Sequence, residues 1–300
     1  MATLIKRAES TRYPGLFVEK YTKKVFWDNL WNEDPALVES RGVVKDASGK
    51  VVIRPFTKIF NRGENGTDLD LDETVLIVSK VNGFMAGATF VESVGGHGQV
   101  VVSTTGSLDS EYVDLATEHL PQGVYDYITE CYAETKRPCT YLFEIVDSVK
   151  DPHIIPERTG AYLIGAREVG NSNPYFSTGF KEGILDRIAE EMGVMRPHWT
   201  ITRFGHAVEE VKVGKHEGFV VYGQDSEKVL KMKSPYYLTL KAAARIRDIS
   251  TLNRQRVDEE FYPLIDWLQE NAEDFNAMDE QTRLKMVREH VDFYYRQPVA

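Results

Sequence analysis

Cysteine is scarce in this sequence, and long apolar runs are missing. Only two of its 300 residues are cysteines, Cys131 and Cys139, and they form neither a zinc-binding pattern nor a disulfide framework. No apolar run approaches the roughly 20 residues that a membrane-spanning helix needs. The first residues lack the apolar segment of a secretory signal. We therefore expect a protein of a reducing, cytoplasmic setting that does not act in a membrane.

Common nucleotide-binding fingerprints are also absent. No GxGxxG turn and no GxxxxGK[ST] loop occurs, which excludes the dinucleotide-binding and P-loop classes. The seven histidines show no metal-ligand spacing. Any nucleotide chemistry in this chain must depend on another set of residues.

Positive charge is in short supply. The formal net charge is -10, whereas a protein that contacts nucleic-acid phosphates usually needs a basic surface. The charge is uneven, because residues 255–300 hold five Lys and Arg residues against eleven Asp and Glu residues. The acidic excess is therefore concentrated at the end of the chain, which leaves room for a basic groove within residues 1–254.

Short apolar runs separated by turn residues predict many β-strands. A hairpin is expected within residues 43–53, and further strands are expected at 74–78, 84–90, 99–103, 141–146, 161–166, 219–222 and 228–233. Helices are expected over 109–136 and 179–193, and the aromatic residues of segment 1–38 also suggest helices. Many strands with helices outside them indicate an α+β fold of antiparallel sheets with flanking helices.

The character of the sequence changes after Ser234. Apolar residues recur at helical spacing within 261–268 and again within 284–294. We therefore expect two domains, residues 1–240 and a small all-helical domain over residues 241–300. A basic patch on the first predicted helix after Lys233 would contact an RNA backbone or form an ordinary solvated face. The patch consists of Lys241, Arg245 and Arg247.

Lys80 follows an apolar strand and is followed by Gly83, within Lys80-Val-Asn-Gly83. A strand end is a rigid place from which to aim a side chain, and a glycine allows the backbone to come close to a ligand. A lysine amine could attack the α-phosphorus of a nucleoside triphosphate if burial and nearby cations lowered its pKa. Taken alone, this short motif is more typical of a surface lysine before a hairpin turn.

Two lysines and two acids could serve the same chemistry. Lys231 and Lys233 lie on one face of a predicted strand, where a triphosphate would relieve their repulsion, although lysines also protect exposed strand edges. Glu217 opens a strand and would stand at the mouth of a cleft. Glu144 lies within the apolar stretch YLFEIV and either faces inward toward a partner or faces solvent.

A third group of cations stands in Arg54-Pro-Phe-Thr-Lys58-Ile-Phe-Asn61. Arg54 and Lys58 could bind a phosphate or a carboxylate. The alternative is a basic loop whose aromatic residues anchor it in the core.

Six short motifs follow one another along the chain. They are Glu39-Ser-Arg41-Gly42, Arg54-Pro-Phe-Thr-Lys58-Ile-Phe-Asn61, Lys80-Val-Asn-Gly83, Phe143-Glu144-Ile-Val146, Glu217-Gly-Phe-Val-Val221 and Lys231-Met-Lys233. In this order and spacing, over roughly residues 39–240, they resemble the ATP-dependent RNA ligases of the phage type-one class. That class belongs to the covalent nucleotidyltransferase superfamily, together with DNA ligases and mRNA capping enzymes.

The resemblance implies an adenylyltransferase fold, ATP as the nucleotide and Mg²⁺ or Mn²⁺ as the metal. It also implies a role for each matching residue. Lys80 would become lysyl-AMP, and Lys231 and Lys233 would bind the triphosphate. Glu144 would bind the ribose and Glu217 would hold the metal. Arg54 and Lys58 would bind the AMP phosphate, and Tyr237 would be the aromatic residue after the last motif.

The chain departs from the family pattern in two places. The first motif more often has an aspartate where this chain has Asn82, which keeps an acceptor oxygen but loses a charge. A direct role of position 82 in metal binding is therefore not carried over. The helical C-terminal part is also short, so substrate specificity carried by that part in the phage enzyme is not transferred.

We therefore expect an ATP-dependent RNA ligase that joins 5′-phosphate and 3′-hydroxyl RNA ends, with a role in RNA repair. The first rival is a DNA ligase or a capping guanylyltransferase, but those enzymes normally continue into an OB-fold β-barrel, whereas residues 241–300 have helical periodicity. The second rival is a non-catalytic nucleic-acid-binding protein on a ligase fold. Such a protein has no physical need for crowded lysines.

Overall fold

The computed structural model describes residues 3–94, 96–170, 182–224, 226, 228–246, 248–251 and 262–295, the side chains of 292–295 excepted. Over these ranges the chain forms an α+β fold of antiparallel sheets with flanking helices and C-terminal helices, as predicted. The strands are β1 Ile5–Glu9, β2 Phe17–Tyr21, β3 Arg41–Lys45, β4 Val51–Ile53, β5 Phe60–Asn61, β6 Thr74–Ser79, β7 Phe84–Val91, β8 Gln99–Thr104, β9 Cys139–Val146, β10 Gly160–Glu168, β11 Trp199–Arg203, β12 Gly218–Gly223 and β13 Val229–Lys233. The helices are α1 Lys23–Trp27, α2 Ala36–Glu39, α3 Glu111–His119, α4 Gln122–Thr135, α5 Glu182–Met192, α6 Phe204–Val213, α7 Pro235–Arg245, α8 Tyr262–Glu270, α9 Ala272–Ala277 and α10 Glu280–Tyr295.

The first sheet has the order β1-β2-β3-β4, with every neighbouring pair antiparallel. The prediction of helices in segment 1–38 was largely wrong, because β1 and β2 form a hairpin and only the short helices α1 and α2 follow. The aromatic residues there serve a local core instead: Trp31 is buried and meets the ring of Tyr21 edge to face at 4.8 Å. Aromatic residues favour strands as much as core-facing helices, and the segment has no helical period to decide between them.

The second sheet has the order β10-β9-β7-β8 and contributes the largest buried cluster. Strand β9 is buried from Thr140 to its end, and helices α3, α4 and α5 cover the sheet. The single helix expected over 109–136 is divided into α3 and α4 by Leu120 and Pro121, since Pro121 is extended (ψ 161°) and has no N–H to continue a helix.

The third sheet has the order β11-β6-β12-β13-β5. Its pairs are antiparallel except for β13 with β5, which run parallel. Helix α6 buries Phe204, Ala207, Val208 and Val211 against this sheet. Neither β11 nor α6 was predicted from the sequence.

Helices α7 to α10 form one apolar cluster, which also includes Ile154 and Ile155 from the loop between β9 and β10. Six of the eight residues of the predicted apolar stripes are buried there: Leu264, Ile265, Leu268, Leu284, Val287 and Val291. Phe261, Arg247 and the side chain of Tyr294 lie outside the described residues. The expected boundary at residue 240 falls inside α7, and the two-domain division stays a prediction. No helix in the described part of the chain is long and apolar enough to cross a bilayer.

Candidate active site

Lys80 stands where the chain crosses from the third sheet to the second. Strand β6 ends at Ser79 in the third sheet, and β7 begins at Phe84 in the second. The backbone N–H of Lys80 donates to the carbonyl oxygen of Gly218 at 2.9 Å. The lysine is therefore held on fixed backbone at the junction of the two sheets, and its side chain enters the cleft between them.

Gly83 closes this crossing against strand β9. A Cβ atom at position 83 would stand 2.2 Å from the carbonyl oxygen of Ile145, so no other residue fits without moving the backbone. The Gly83 N–H donates to Glu144 Oε1 at 3.2 Å. We had expected Gly83 to let the backbone approach a ligand, but it allows close approach to β9 instead. It also orients Glu144.

Both predicted acids face inward and surround Lys80. The Lys80 Nζ lies 3.1 Å from Glu217 Oε2 and 4.0 Å from Glu144 Oε1. Lys233 Nζ approaches the other oxygen of Glu217, Oε1, at 3.3 Å. Glu217 is 2% exposed and Glu144 is 8% exposed. The alternative in which Glu144 faces solvent is therefore wrong.

The electrostatics of Lys80 differ from our expectation of a lowered pKa. Burial alone would lower the pKa of Lys80, but the charges of Glu144 and Glu217 outweigh it and raise the pKa above its ordinary value. Burial would raise the pKa of Glu217, yet Lys80 and Lys233 hold it below the ordinary value. Burial raises the pKa of Glu144 despite the nearby Lys80. Without substrate, Lys80 is an ammonium group bound to its acids.

Asn82 holds the carboxylate of Glu217 in place by a hydrogen bond. Its Nδ2 donates to Glu217 Oε2 at 2.7 Å, and its Oδ1 accepts from the N–H of Ile155 at 2.9 Å. Asn82 is 4% exposed, so both bonds are sheltered from water. An aspartate has no N–H to give Glu217. The amide at this position therefore satisfies a buried carboxylate that an acid here would repel.

Lys231 and Lys233 lie on one face of β13, as predicted, with Met232 buried on the other. Burial lowers the pKa of Lys231 to about 7, and the charges of Lys58, Arg41 and Lys233 act in the same direction. Among the described residues Lys231 has no acidic ion-pair partner. The cluster is thus short of negative charge, which is what an anion-binding site requires.

Lys58 adjoins this cluster without lining the cleft. Its Nζ pairs with Glu64 Oε1 at 2.8 Å and lies 4.5 Å from the centre of the Phe60 ring. Burial lowers the pKa of Lys58 although Glu64 opposes the shift. Lys58 therefore adds positive potential behind Lys231.

Arg54 lies away from the lining of the cleft. Its guanidinium pairs with Glu39 Oε2 at 3.0 Å and donates through Nε to the carbonyl oxygen of Val169 at 2.7 Å. Glu39 also pairs with the buried Arg167 at 2.9 Å. In this structure Arg54 ties the first sheet to the second, and its expected contact with AMP stays a prediction. Arg41, from the first quoted motif, lines the cleft instead.

The cleft has a volume of about 410 Å³. It brings together six of the predicted site residues: Lys80, Glu144, Glu217, Lys231, Lys233 and Tyr237. Sequence reasoning missed the apolar walls, which include Phe56, Val78, Ile164 and Val220. Of the predicted basic patch, Lys241 and Arg245 line the cleft, which the sequence did not indicate.

The acids present fit a hard divalent cation. Mg²⁺ is usually held by one or two carboxylates together with substrate phosphates and water, rather than by a complete protein cage. Glu217, with Glu144 close by, supplies such oxygen donors next to the lysine cluster. No group of three or more His, Cys, Asp or Glu residues that could hold a metal exists within the described ranges. A metal here would therefore depend on the phosphates of a nucleotide.

The described residues thus form an α+β fold of antiparallel sheets in which a lysine lies between two sheets with cations around it. A family model described as RNA ligase, of the T4 type, matches residues 39–241, which is more than half of the chain. The chain therefore belongs to the T4-type RNA ligase family.

Solved structures show the same fold. Two forms of an archaeal ATP-dependent RNA ligase superpose with TM-scores of 0.54 and 0.52, each at 16% sequence identity. The first match covers 96% of this chain and 73% of the archaeal chain, and the second covers 98% and 74%. No curated protein sequence shows significant similarity to the chain.

Proposed function

We propose that this chain is an ATP-dependent RNA ligase that joins 5′-phosphate and 3′-hydroxyl RNA ends through lysyl-AMP and adenylylated RNA. The observation that carries the proposal is the position of Lys80, fixed at the junction of two sheets between Glu144, Glu217 and Lys233. Family membership supports the class of reaction. RNA repair is the corresponding biological role.

In the first step Lys80 Nζ attacks the α-phosphorus of ATP and pyrophosphate leaves. Lys80 must first lose the proton that Glu144 and Glu217 stabilise. Engagement of these carboxylates by other positive charge weakens their hold on the ammonium group, so the pKa falls toward the value that burial alone would give. Lys231 and Lys233 bind the triphosphate, and Tyr237 and Lys58 support them.

Glu217 would hold Mg²⁺ or Mn²⁺ together with the phosphates, and Glu144 would bind the ribose. The metal, when bound, would offset negative charge on the phosphates. The apolar walls suit an adenine base, since a flat ring gains by leaving water.

In the second step the AMP passes from Lys80 to the 5′-phosphate of RNA. In the third step a 3′-hydroxyl attacks the adenylylated end and AMP leaves as the strands join. A DNA ligase or capping enzyme is a poorer match, because the described residues after the last motif form helices rather than a β-barrel. A non-catalytic protein would gain nothing from gathering Lys80, Lys231 and Lys233 in one cleft.

The test is the intact mass of the purified chain after incubation with ATP and Mg²⁺. We expect one AMP adduct on the wild type and none on Lys80→Ala, while Lys80→Ala should still seal pre-adenylylated RNA to some degree. Lys212→Ala is the matched control, since Lys212 is an exposed lysine on α6. A wild type that gains no AMP would point to the non-catalytic alternative, and sealing of DNA in preference to RNA would point to a DNA ligase.

A further inference from the structure

Helix α7 brings two more cations to the cleft than the motifs account for. It begins after Ser234, whose side chain accepts from the N–H of Tyr237 and so caps the helix directly behind Lys233. Tyr237, Lys241 and Arg245 follow at intervals of four residues, which places them along one face. All three line the cleft. The path of the chain therefore extends the row of positive side chains from the floor of the cleft outward.

The side chain of Lys241 is held in place by Tyr237. Its Nζ donates to Tyr237 Oη at 3.2 Å, and the Nζ atoms of Lys233 and Lys241 lie 4.9 and 5.3 Å from the centre of the Tyr237 ring. No carboxylate within the described ranges forms an ion pair with it. Burial lowers the pKa of Lys241 to about 8, with Lys233 and Arg245 acting in the same direction. An anion bound at the Lys241 Nζ would stabilise the charged form of this side chain next to Lys233 and Arg245.

Arg245 stands farther out, at the rim. Its Nε pairs with Glu280 Oε1 of α10 at 3.2 Å, and both side chains are exposed. Exposed pairs of this kind are weak and exchange readily for a better anion. The cations thus run from the half-buried Lys231 and Lys233 on the floor to the exposed Arg245 at the mouth.

The position of Lys241 and Arg245 suits the end of an RNA strand better than a small nucleotide. A nucleotide fills the floor, whereas the end of an RNA strand must approach from outside. In-line displacement requires the attacking oxygen to stand opposite the leaving atom. For transfer of AMP from Lys80, the 5′-phosphate must therefore enter on the side of the α-phosphorus from which pyrophosphate has left.

We propose that Lys241 and Arg245 form the binding site for the terminal 5′-phosphate of the RNA that accepts AMP. An oxygen of this phosphate forms the new P–O bond, the P–N bond to Lys80 breaks, and Lys80 leaves with the electron pair and takes up a proton. The proposal rests on the ligase function proposed above. It assigns the second step to a helix that lies beyond the last motif of the nucleotide site.

The experiment isolates the second step. Purified lysyl-AMP enzyme is mixed with 5′-phosphorylated RNA in a single turnover, and formation of adenylylated RNA is followed over a range of RNA concentrations. For Lys241→Met we expect the half-saturating RNA concentration to rise at least tenfold, and for Arg245→Gln about threefold. Lys241→Arg should recover most of the loss because it keeps the charge.

The first step serves as the reference measurement, because it involves no RNA. Formation of lysyl-AMP from ATP should stay within about twofold of the wild type. The control is Lys285→Met, which removes an exposed lysine of α10 that pairs along its own helix with Glu289. Glu280→Gln should change the second step in the opposite direction, since it frees Arg245.

Two results would overturn the proposal. An equal fall in lysyl-AMP formation would assign the two cations to the triphosphate of ATP. An unchanged second step in Lys241→Met and Arg245→Gln would remove them from RNA binding. If Lys241→Met fails to fold, the variants Arg245→Gln and Glu280→Gln at the exposed rim still test whether this site binds RNA in the second step. A wild type that forms no lysyl-AMP would refute the ligase function itself, which is a separate outcome.

Discussion

The cleft and the C-terminal helical cluster are both buried, yet different forces hold them. In the cleft, charged groups are buried in a chain of short polar contacts that runs through Lys80, Glu217, Asn82 and Lys233. In the cluster of α7 to α10, apolar side chains fill the interior and the charges lie outside. A change in the strands that hold the cleft should therefore alter chemistry as well as stability, whereas a change in the cluster should alter stability alone. Helix α7 belongs to both regions.

The largest expected effect compares two buried phenylalanines. Phe275 lies in the helical cluster and Phe143 lies in β9 next to Glu144, and both are 0% exposed. Each Phe→Ala change should cost about 3–5 kcal/mol of unfolding free energy, because it leaves a cavity. Only Phe143→Ala should also slow lysyl-AMP formation per folded molecule. Denaturant melts and single-turnover labelling separate the two quantities, and a matching loss of rate in Phe275→Ala would erase the distinction between the regions.

Asn82→Leu should produce the next largest effect. It takes one donor away from Glu217, which keeps its lysine partners, and it leaves the buried N–H of Ile155 without its acceptor at a cost of about 1–3 kcal/mol. We expect lysyl-AMP formation to fall about 10- to 100-fold in a labelling assay.

Asn82→Asp is the matched variant, since it keeps the acceptor for Ile155, loses the donor to Glu217 and adds a charge that Glu217 repels. A wild-type rate in Asn82→Leu would show that Asn82 does not position Glu217. If Asn82→Asp is as slow as Asn82→Leu, the bond to Glu217 matters more than the bond to Ile155.

Removal of either strand lysine should have a moderate effect. Lys231→Ala and Lys233→Ala should each slow lysyl-AMP formation at least about tenfold, which corresponds to about 1.4 kcal/mol of barrier. The reason is the loss of a cation that faces the triphosphate. Rapid-quench labelling with radioactive ATP measures the rate, and an unaltered rate in both variants would contradict the assignment.

The smallest expected effect is the uptake of a fraction of a proton when a triphosphate binds near Lys231. The pKa of Lys231 is lowered to about 7 by burial and neighbouring cations, so part of the population is neutral at pH 7.5. A bound triphosphate favours the charged form and raises this pKa, so binding must take up protons. The uptake should be greatest between about pH 7 and 8 and vanish near pH 5.5, where Lys231 is already charged.

Calorimetry in buffers of different ionisation enthalpy, with an ATP analogue that cannot be cleaved between the α- and β-phosphates, measures this uptake. Lys231→Met should remove most of it. A release of protons by the wild type would contradict the proposed role of Lys231.

Local pattern was enough to predict much of the sheet structure. The strands from β6 to β10 and the pair β12 and β13 have apolar runs and turn residues that specify them without tertiary information. Segment 1–38 and β11 lack such a pattern. Ile201 of β11 is 58% exposed, so no buried face marks it as a strand.

The site was predictable as a set of residue types but not as a network. The motifs supplied Lys80 and its charged neighbours. The bond from Asn82 to Glu217 joins residues 135 apart in sequence, and no spacing rule finds it. The direction of the pKa shift of Lys80 is the balance of burial against two carboxylates, and it depends on distances that only folding sets. Arg41 could have been found, since it stands in a quoted motif.

One oxygen of Glu217 accepts both Lys80 and Asn82. An ammonium group has no lone pair, so the resting enzyme is shielded from aldehydes, anhydrides and other stray electrophiles that modify free amines. In the proposed mechanism Lys80 becomes an amine only when bound substrate weakens its contact with Glu217. On that proposal, the contact that keeps Lys80 protonated between turnovers would also protect it from irreversible modification, and readiness for reaction would be a property of the complex rather than of the protein alone.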